Sequence, residues 1–533
     1  MSTSTPLLTR RRLPIGIQNL REIREGDGYY VDKSGLAVDL IESGKSFFLS
    51  RPRRFCKSLL VDTFKELFEA NAKLFKGLVA EHRWDWTRRR PVIHISFGNG
   101  VLHGRSELDR RIRSNLRDNR AALGLPRPAH IDPEDVADDF ADLIAQAHQQ
   151  QGQTAVVLVD EYDKPILDNL EDPAIARQMR DGLRNFYAVL KEADAHLKFV
   201  FITGVSKFSK VSLFSGLNNL RDITLDARWS ALCGYTDEDV DTVFAPELPG
   251  LNREEIRRCY NGYNWGGTSV YNPFDVLLLF DRREFHPYWF ETGTPTFLVD
   301  LLAREAVFSP RLDRMCGDLE LLSTFDVEHI APEALLFQAG YLTVHEKRVL
   351  DNLDTVYTLG YPNREVESSL NRVLLPAYGV PRQVALASRM ALLEALKLAD
   401  AAAIRAGLHA LFAGIPNDWY RNNPLAGFEG HYASVFYSHL AGLGLDLRVE
   451  DATNHGRIDL TLRFAGQIFI FEFKVLDGDR PDGSALAQIR AKGYADKYRC
   501  HGQPVHLIGI EFGRAARNLV GFETETLNAI VTE

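Results

Sequence analysis

The chain has 533 residues, of which 45% are hydrophobic and 25% charged, as in ordinary soluble globular proteins. A single hydrophobic core does not extend over such a length, so roughly two to four domains are expected. The net charge of −9 excludes a protein coated in positive charge, but it leaves room for a local basic groove that binds nucleic acid.

The five cysteines are widely spaced and form no C-x-x-C pair. Such a pattern is typical of reduced thiols rather than of disulfides or zinc ligands. The N-terminal residues lack the apolar core of a signal peptide, and no apolar run reaches the length of about 18 residues needed to span a bilayer. We therefore expect a cytoplasmic protein with no membrane partner.

Residues 1–225 alternate short apolar runs with helical patterns. Continuous apolar runs of this kind are typical of central strands in a parallel sheet that is covered by helices on both faces. We predict an α/β domain over this segment. Its expected strands are 46–50, 92–97, 155–160 and 198–203.

Residues 226–415 have a mostly helical pattern, which ends in a pair of Ala- and Leu-rich helices at 383–413. We predict a helical extension here, followed by a second α/β domain over 416–533. The expected strands of the second domain are 458–464, 468–475 and 505–512, and its expected helix is 484–499.

The stretch LSRPRRFCKS at 49–58 lies where a phosphate-binding loop is expected, after an apolar strand and before a helical pattern. Such loops usually read G-x-x-x-x-G-K-[ST], but here Arg51 and Cys56 replace the two glycines. Lys57 and Ser58 remain. In a phosphate-binding loop the lysine reaches the outer phosphates of ATP and the hydroxyl binds Mg²⁺, so we expect these two residues to take those roles.

Two further strands support a nucleotide site. The strand at 155–160 ends in Asp160, expected to hold Mg²⁺ through water, and is followed by Glu161, expected to polarise the attacking water. The strand at 198–203 ends in Thr203, and Ser206 follows it, where a polar sensor of the terminal phosphate is expected. Each signal alone occurs by chance, but their order and context favour a P-loop fold.

The segment NHGRIDLTLRFAGQIFIFEFKV (454–475) predicts two strands joined by a tight turn at Ala465-Gly466. If the pairing is symmetric about this turn, residue numbers of facing residues sum to 931. One face then pairs apolar residues throughout: Ile458 with Phe473, Leu460 with Phe471 and Leu462 with Phe469.

The other face pairs Asp459 with Glu472, and Lys474 shares that face. Two facing carboxylates repel unless a cation lies between them, and their oxygens are ligands that Mg²⁺ prefers. A metal held there can activate water and stabilise the transition state of phosphodiester hydrolysis, with Lys474 positioning the water or neutralising charge. The alternative is an ordinary exposed sheet face with a Lys–Glu pair.

The segment 13–225 resembles the AAA-ATPase-like family found in many bacterial proteins of this size. The resemblance is carried by LPIGIQNLREIREGDGYYVDKS, FLSRPRRFCKSLL, VLVDEYDKPI and ITGVSKFSKVSLFSGLNNLRDIT, and continues through CYNGYNWGGTSVYNPFDVLLLF, YWFETGTPTFLVDLL and LLFQAGYLT. It implies a P-loop ATPase domain, with ATP as cofactor. AAA-type ATPases commonly form homo-oligomers, although the sequence shows no clear arginine finger.

Members of this family usually read R-P-R-R-F-G-K-S, so Arg51 agrees with the family and Cys56 departs from it. Glycine before the lysine leaves the loop backbone free and keeps a side chain away from the phosphates. With cysteine, ATP binding either persists at lower affinity or is lost, and we expect weak or impaired turnover. Arg53 and Arg54 either compensate as phosphate contacts or form a solvated basic loop.

The C-terminal segment, roughly 424–515, resembles the PD-(D/E)xK nuclease superfamily, in the version often fused behind the AAA-ATPase-like module. The resemblance carries over the motif positions to Asp459, Glu472 and Lys474, adds Glu429 as a further metal ligand, and adds Gln488 on the following helix. It implies Mg²⁺ or Mn²⁺ as cofactor. For Lys492 a solvated helix position is the preferred interpretation, and Tyr494 is ambiguous.

These features together predict a metal-dependent nuclease that cuts DNA and is positioned or regulated by an ATPase domain. The sequence does not distinguish DNA from RNA. Two alternatives stay open: a nucleotide-dependent regulatory or scaffold protein that binds nucleic acid or a partner without cutting, and an ATPase with another client. The arginine-rich stretch 108–120 would suit a DNA groove, although a charged solvent face is the more usual explanation.

Overall fold

The computed structural model describes residues 10–127, 131–132, 134–207, 219–291, 298, 302, 309–318, 321–322, 331–351, 354–416 and 429–528. The chain forms two compact units. The first comprises Met1–Thr292 and Met315–Asn363, and the second Gly293–Arg314 and Arg364–Glu533. The boundary at 363/364 falls inside the segment for which the sequence predicts a helical extension.

The first unit contains a five-stranded parallel sheet with strand order β2-β3-β4-β1-β5. The four predicted strands are confirmed, and β5 is an added short edge strand. The strands are β1 (Ser46–Ser50), β2 (Val92–Ser96), β3 (Ala155–Asp160), β4 (Leu197–Gly204) and β5 (Arg221–Asp222).

Helices surround this sheet because its central strands are apolar on both faces. Every residue of β1 and β3 is buried. The helices up to β4 are α1 (Leu20–Glu25), α2 (Ser34–Ser43), α3 (Lys57–Phe68), α4 (Arg105–Leu123), α5 (Val136–Gln151), α6 (Lys164–Leu167) and α7 (Pro173–Glu192). The order places β4 between β1 and β3, so the segments after β1 and β3 flank the end of β4 at one edge of the sheet.

The rest of the first unit combines short helices with a small antiparallel sheet of order β6-β8-β7. The sequence pattern suggests mostly helix here, and the small sheet is an addition. Its strands are β6 (Met315–Asp318), β7 (Thr343–Val349) and β8 (Thr355–Gly360), and the helices are α8 (Asp237–Thr242), α9 (Arg253–Tyr260), α10 (Pro273–Arg282), α11 (Tyr288–Glu291) and α12 (Pro332–Ala339).

The second unit contains a mixed sheet of order β13-β12-β11-β10-β9, in which only β11 and β12 run parallel. The three predicted strands are confirmed as β10, β11 and β12. The elements are α13 (Arg364–Ala377), α14 (Arg382–Lys397), α15 (Ala401–Ala413), α16 (Glu429–Ala441), β9 (Asp446–Thr453), β10 (Gly456–Phe464), β11 (Gln467–Leu476), α17 (Ser484–Ala491), β12 (Val505–Gly513) and β13 (Asn518–Leu527).

Helices pack on both faces of the mixed sheet. On one face Phe436 of α16 meets Phe471 and Phe473, with ring centroids 5.1 and 4.8 Å apart. On the other face Leu486 and Ile489 of α17 share an apolar cluster with residues of β10, β11 and β12. Helices therefore cover both faces of the hairpin formed by the strands β10 and β11.

The sequence pattern overextends the helix predicted at 484–499. Helix α17 ends at Ala491, because Gly493 adopts a left-handed conformation with φ of 58°. Two short 3₁₀ turns follow, Tyr494–Lys497 and Arg499–His501. Among the helices of the described ranges, none is both long enough and apolar enough to cross a membrane.

Candidate functional site

The hairpin of β10 and β11 has the predicted register. Leu460 pairs with Phe471 and Leu462 with Phe469. Ala465 and Gly466 in the turn have φ values of 50° and 76°, as a two-residue hairpin turn of the I′ class requires. The apolar pattern and the turn therefore suffice to set the pairing of these strands.

The regular ladder ends at Leu460–Phe471, so the predicted backbone pairing of Asp459 with Glu472 is not formed. The reason is a side-chain contact: Asp459 Oδ2 accepts a hydrogen bond from the backbone N–H of Phe473 at 2.8 Å. This bond occupies the amide that a continued ladder would use. It also fixes the Asp459 carboxylate beside the strand segment that carries Glu472 and Lys474.

Glu472 is almost completely buried, with 1% of its surface exposed. Its Oε1 accepts a hydrogen bond from the Gln488 side-chain amide and lies 4.0 Å from Lys474 Nζ. Its Oε2 is also buried and has no hydrogen-bond partner among the described residues. A buried carboxylate oxygen without a donor is costly, unless a cation or a proton compensates its charge.

The pKa of Glu472 is raised to about 8, mainly by burial and also by the negative charge of Asp459, while the positive charge of Lys474 opposes the shift. Two carboxylates in one low-dielectric site compete for the charged state. A divalent cation between them removes this conflict, since it favours ionisation of both.

Helix α17 places Gln488 over Glu472 because strand β12 anchors the helix N-terminus. Buried Glu511 of β12 accepts hydrogen bonds from the backbone N–H groups of Asp482 and Ala485, at 3.0 and 3.4 Å. A Cβ at Gly509 would lie 2.4 Å from the backbone nitrogen of Leu486. Only glycine at that strand position allows α17 to lie so close to β12.

Tyr494 also belongs to this cluster, although its sequence context is ambiguous. The side chain is buried, and burial raises the pKa of its hydroxyl, with a further increase from the charge of Glu472 and an opposing effect of a hydrogen bond with Gln488. Its hydroxyl lies against Gly456 at the start of β10. Tyr494 lies six residues after Gln488 in the sequence. This spacing indicates a shared site only once it is known that helix α17 ends between the two residues. Lys492, by contrast, is exposed.

The described residues contain no group of three or more His, Cys, Asp or Glu side chains that would hold a metal ion. At this site the described residues offer a pair of carboxylates, Asp459 and Glu472. Mg²⁺ is often held by one or two carboxylates and retains several waters, so the pair suits it. Glu429 begins α16, but its side chain lies outside the described residues.

In the first unit, the segment between β1 and α3 forms the predicted loop. Arg54 and Cys56 adopt left-handed conformations, with φ of 70° and 56°. This conformation is readily adopted by glycine and strained for other residues. The Lys57 ammonium is buried and donates hydrogen bonds to the carbonyl oxygens of Arg51 and Pro52, at 3.0 and 2.8 Å. The Lys57 side chain thus bonds to the backbone of its own loop.

Arg51, at the position of the first glycine, anchors this loop. It is fully buried and donates to the carbonyl oxygens of Thr224 and Trp229, at 3.0 and 3.1 Å. Its guanidinium stacks over the Trp265 ring, 3.9 Å from the centroid. The side chain therefore ties the loop to the segment that follows β5, which the sequence does not reveal.

Asp160 is the last residue of β3 and Glu161 follows it, as predicted. Asp160 is buried, and its Oδ1 has no hydrogen-bond partner within the described residues. Glu161 has a left-handed φ of 52°, and its pKa is raised by burial and by the nearby charge of Asp160. Burial lowers the pKa of Lys57, and the charge of Asp160 opposes that shift. Lys57 therefore lies near Asp160 and Glu161, the two acidic residues at the end of β3.

Thr203 is not oriented as a phosphate sensor. It is fully buried, and its hydroxyl donates to the Leu49 carbonyl on the neighbouring strand at 2.8 Å. Ser206 donates instead to Asp163 Oδ2 at 2.6 Å. Asp163 also accepts the backbone N–H of Ser206, so this aspartate, which the sequence analysis does not single out, fixes the segment after β4.

A cavity of about 470 Å³ lies at the loop, within the size range of ligand pockets. Thr203 and Asp160 are not among the described residues that line it. One part of its lining is apolar and comes from the N-terminal segment and α10: Pro14, Ile17, Phe274 and Leu277. The polar part comes from the loop and the segment after β3: Arg53, Arg54, Cys56, Lys57, Ser58, Glu161, Asp163, Lys164 and Asp168.

Comparisons with known proteins agree with this division. Residues 14–214 match a family described as "Predicted AAA-ATPase", and residues 427–522 match the PD-(D/E)XK nuclease superfamily. The chain is 57% identical over 522 residues to the "Uncharacterized protein in vnfD 5'region" of Azotobacter chroococcum mcd 1, covering 98% of this chain and 100% of that protein. No solved structure matches the chain. The chain therefore belongs to a family of two-domain proteins that join a predicted AAA-ATPase domain to a C-terminal domain of the PD-(D/E)XK nuclease superfamily.

Proposed function

We propose that this protein is a Mg²⁺- or Mn²⁺-dependent nuclease that cuts DNA, in the cytoplasm, under the control of its nucleotide-binding domain. The observation that carries the proposal is the environment of Glu472. Its carboxylate is buried beside Asp459 and Lys474, and one of its oxygens has no hydrogen-bond partner among the described residues. A purely structural carboxylate at this depth would be expected to have both oxygens satisfied.

In the proposed mechanism Asp459 and Glu472 hold the metal, with Glu429 as a further ligand. The metal, when bound, lowers the pKa of water and stabilises negative charge on the phosphate. Asp459 is held in place by the Phe473 amide, and Gln488 orients Glu472 through Oε1, so that both carboxylates would be positioned to hold a cation. Gln488 thus acts as a positioning residue.

Lys474 has a separate role in the proposed mechanism. Its ammonium lies 4.0 Å from Glu472 Oε1, and about a third of its side chain is exposed to solvent. It therefore lies near the carboxylates while part of its side chain is accessible from solvent. There it would position the attacking water and neutralise charge that develops on the phosphodiester.

The nucleotide-binding part of the proposal rests on the cavity at the phosphate loop. Its apolar lining suits a base, and the N-terminus of α3 with Lys57 and Ser58 suits phosphates. Asp160 and Glu161 would hold Mg²⁺ and polarise water, with Arg53 and Arg54 as further phosphate contacts. Lys57 is bonded to its own loop, and Cys56 brings a Cβ to a strained position, so we propose weak ATP binding and slow turnover.

The test is cleavage of plasmid, linear DNA and RNA with Mg²⁺ or Mn²⁺, with and without ATP. Parent protein is compared with Asp459→Ala and Lys57→Ala. Metal-dependent cutting that Asp459→Ala abolishes supports the nuclease, and a dependence on ATP and Lys57 supports control by the first domain. If the parent binds nucleic acid but cuts none of the substrates, the regulatory or scaffold alternative is favoured.

A further inference from the structure

A second cavity lies on the first unit, along helix α4. It has a volume of about 1020 Å³, at the upper end of the range for ligand pockets. We call it the arginine groove, because six arginines line it: Arg110, Arg111, Arg113, Arg117, Arg120 and Arg127.

The groove is strongly basic within an acidic protein. Its lining contains six arginines against two carboxylates, Glu107 and Asp139, a net charge of four positive. The whole chain carries −9. A concave basic surface on an acidic protein concentrates anions locally and excludes them elsewhere, which is the electrostatic signature of a specific polyanion site.

The fold of α4 produces this surface. Leu108, Ile112 and Leu116 recur every four residues and are fully buried, so they fix one face of the helix against the domain. Arg110 and Arg117 lie two turns apart and are exposed. The helix contains arginine but no lysine, and arginine offers the planar fork of donors that binds phosphate oxygens in pairs.

Arg120 forms the fixed floor of the groove. It is buried, and it donates to Asp139 Oδ1 and Asp142 Oδ2, both at 2.7 Å. Its charge is compensated, so it is not offered as a ligand contact. It holds α4 against α5 and thereby keeps the other guanidinium groups in position.

The outer arginines are weakly held. Arg113 pairs with Glu134, whose side chain is 78% exposed, and Arg110 lies 3.9 Å from Glu107. Arg117 pairs with its neighbour Asp118 at 3.3 Å and donates to the Ser114 hydroxyl at 3.0 Å, and Arg111 has no carboxylate partner in the described parts of the chain. Exposed ion pairs of this kind contribute little to stability, so a phosphate can replace the carboxylates at small cost.

One loop joins the arginine groove to the nucleotide cavity. Gly98 lines the nucleotide cavity, whereas Asn99 lines the groove. The carbonyl oxygen of the next residue, Gly100, accepts a hydrogen bond at 2.6 Å from Lys164, which also lines the nucleotide cavity. A change in the contacts of Lys164 would therefore act on the rim of the groove.

We propose that the arginine groove binds the phosphodiester backbone of DNA, so that the ATPase domain holds the substrate that the C-terminal domain cuts. The inference deepens the proposed function and rests on it for the identity of the nucleic acid. Backbone contacts carry no sequence information, so the groove supplies affinity and position rather than sequence specificity.

The test measures binding and cleavage separately. A short fluorescein-labelled DNA duplex is titrated with full-length protein in EDTA, where no metal-dependent cutting occurs, at several salt concentrations and with and without ATP. Parent protein is compared with the double variant Arg110→Glu/Arg117→Glu. Arg258→Glu is the matched control, since Arg258 is also exposed and pairs with a glutamate three residues earlier, Glu255, but lies outside the groove.

We expect the double variant to bind DNA at least about tenfold more weakly than the parent and the control, with a salt slope smaller by about two. Circular dichroism of the variant checks that it is folded, and Arg110→Ala/Arg117→Ala repeats the comparison without added negative charge. Equal binding by folded double variants and parent would overturn the proposal, as would a parent that binds no DNA. Tighter binding of RNA than of DNA in a parallel titration would reassign the ligand. Loss of cutting in Asp459→Ala with normal binding would leave the groove intact and concern only the nuclease.

Discussion

Asp459 Oδ2 accepts the backbone N–H of Phe473 at 2.8 Å, which fixes one carboxylate next to the buried carboxylate of Glu472. The regular strand ladder ends before this point, and the two carboxylates are neighbours at a site where Glu472 is buried. The following expectations derive from this arrangement.

The first prediction concerns stability without metal. The pKa of Glu472 is about 8 in the folded protein against an ordinary value of 4.5, mainly because of burial. The folded protein favours the protonated form of Glu472. The contribution of this side chain to the free energy of unfolding is therefore fully present below about pH 4.5 and is lost as the pH rises through about 8. In EDTA at about pH 9, we expect Glu472→Gln to be more stable than the parent by roughly 2 kcal/mol, and at about pH 5 the difference should nearly vanish.

Thermal denaturation at both pH values measures this difference. The control is Glu450→Gln, since Glu450 is an exposed carboxylate of the same sheet, paired with Arg457. A Glu472→Gln protein that is less stable than the parent at high pH would show that the buried carboxylate is already compensated.

The second prediction concerns protons released by metal binding. Because the pKa of Glu472 lies near 8, the side chain is mostly protonated at neutral pH. Binding of Mn²⁺ at about pH 7 should release about one proton per ion, and at about pH 9 almost none. Isothermal titration calorimetry in buffers of different ionisation enthalpy gives this number. A release that does not depend on pH would contradict the assigned role of Glu472.

The third prediction tests Gln488 as a positioning residue. Gln488→Ala removes the hydrogen bond to Glu472 Oε1, and we expect Mn²⁺ affinity to fall about 10- to 100-fold. Arg490→Ala is the control, since Arg490 lies on the exposed side of the same helix and pairs with Glu525. Equal metal affinity in both variants would mean that Gln488 only packs.

The fourth prediction concerns the phosphate loop. Cys56 has φ of 56°, where a Cβ is unfavourable and crowds the position of the phosphates. We expect Cys56→Gly to bind ATP about tenfold more tightly than the parent, measured with a fluorescent ATP analogue. Cys56→Ala keeps the Cβ and removes only the sulfur, so an equal gain in this variant would assign the obstacle to sulfur. No gain in either variant would contradict the account of a loop impaired at residue 56.

Much of the fold can be predicted from the sequence, because the pattern of apolar residues indicates which segments are buried. Strands β1 and β3 of the first unit are mostly apolar and are buried along their whole length, and the β10–β11 register follows from the apolar pairs and the turn at Ala465-Gly466. The sequence pattern does not predict the edge strands β9 and β13, because these strands are half exposed and carry many polar residues.

The site is less predictable where it depends on contacts distant in sequence. The anchoring of α17 by Glu511 and its close approach at Gly509 decide that Glu472 is buried rather than on an open sheet face. Thr203 has the expected position at the end of its strand, but its hydroxyl bonds to Leu49 on the neighbouring strand. Arg51 occupies the first glycine position of the usual loop, and only the structure shows that it is a buried anchor.

Cleavage of supercoiled plasmid with Mg²⁺ or Mn²⁺ by Asp459→Asn beside Glu450→Gln tests the central claim most directly. Both variants replace a carboxylate of one sheet with its amide, but only the first alters the proposed metal site. We expect the parent and Glu450→Gln to cut at similar rates, and Asp459→Asn to cut at least about a hundredfold more slowly. Equal cutting by Asp459→Asn and parent, or an uncut plasmid in every reaction, would contradict the assignment of a nuclease site to Asp459, Glu472 and Lys474.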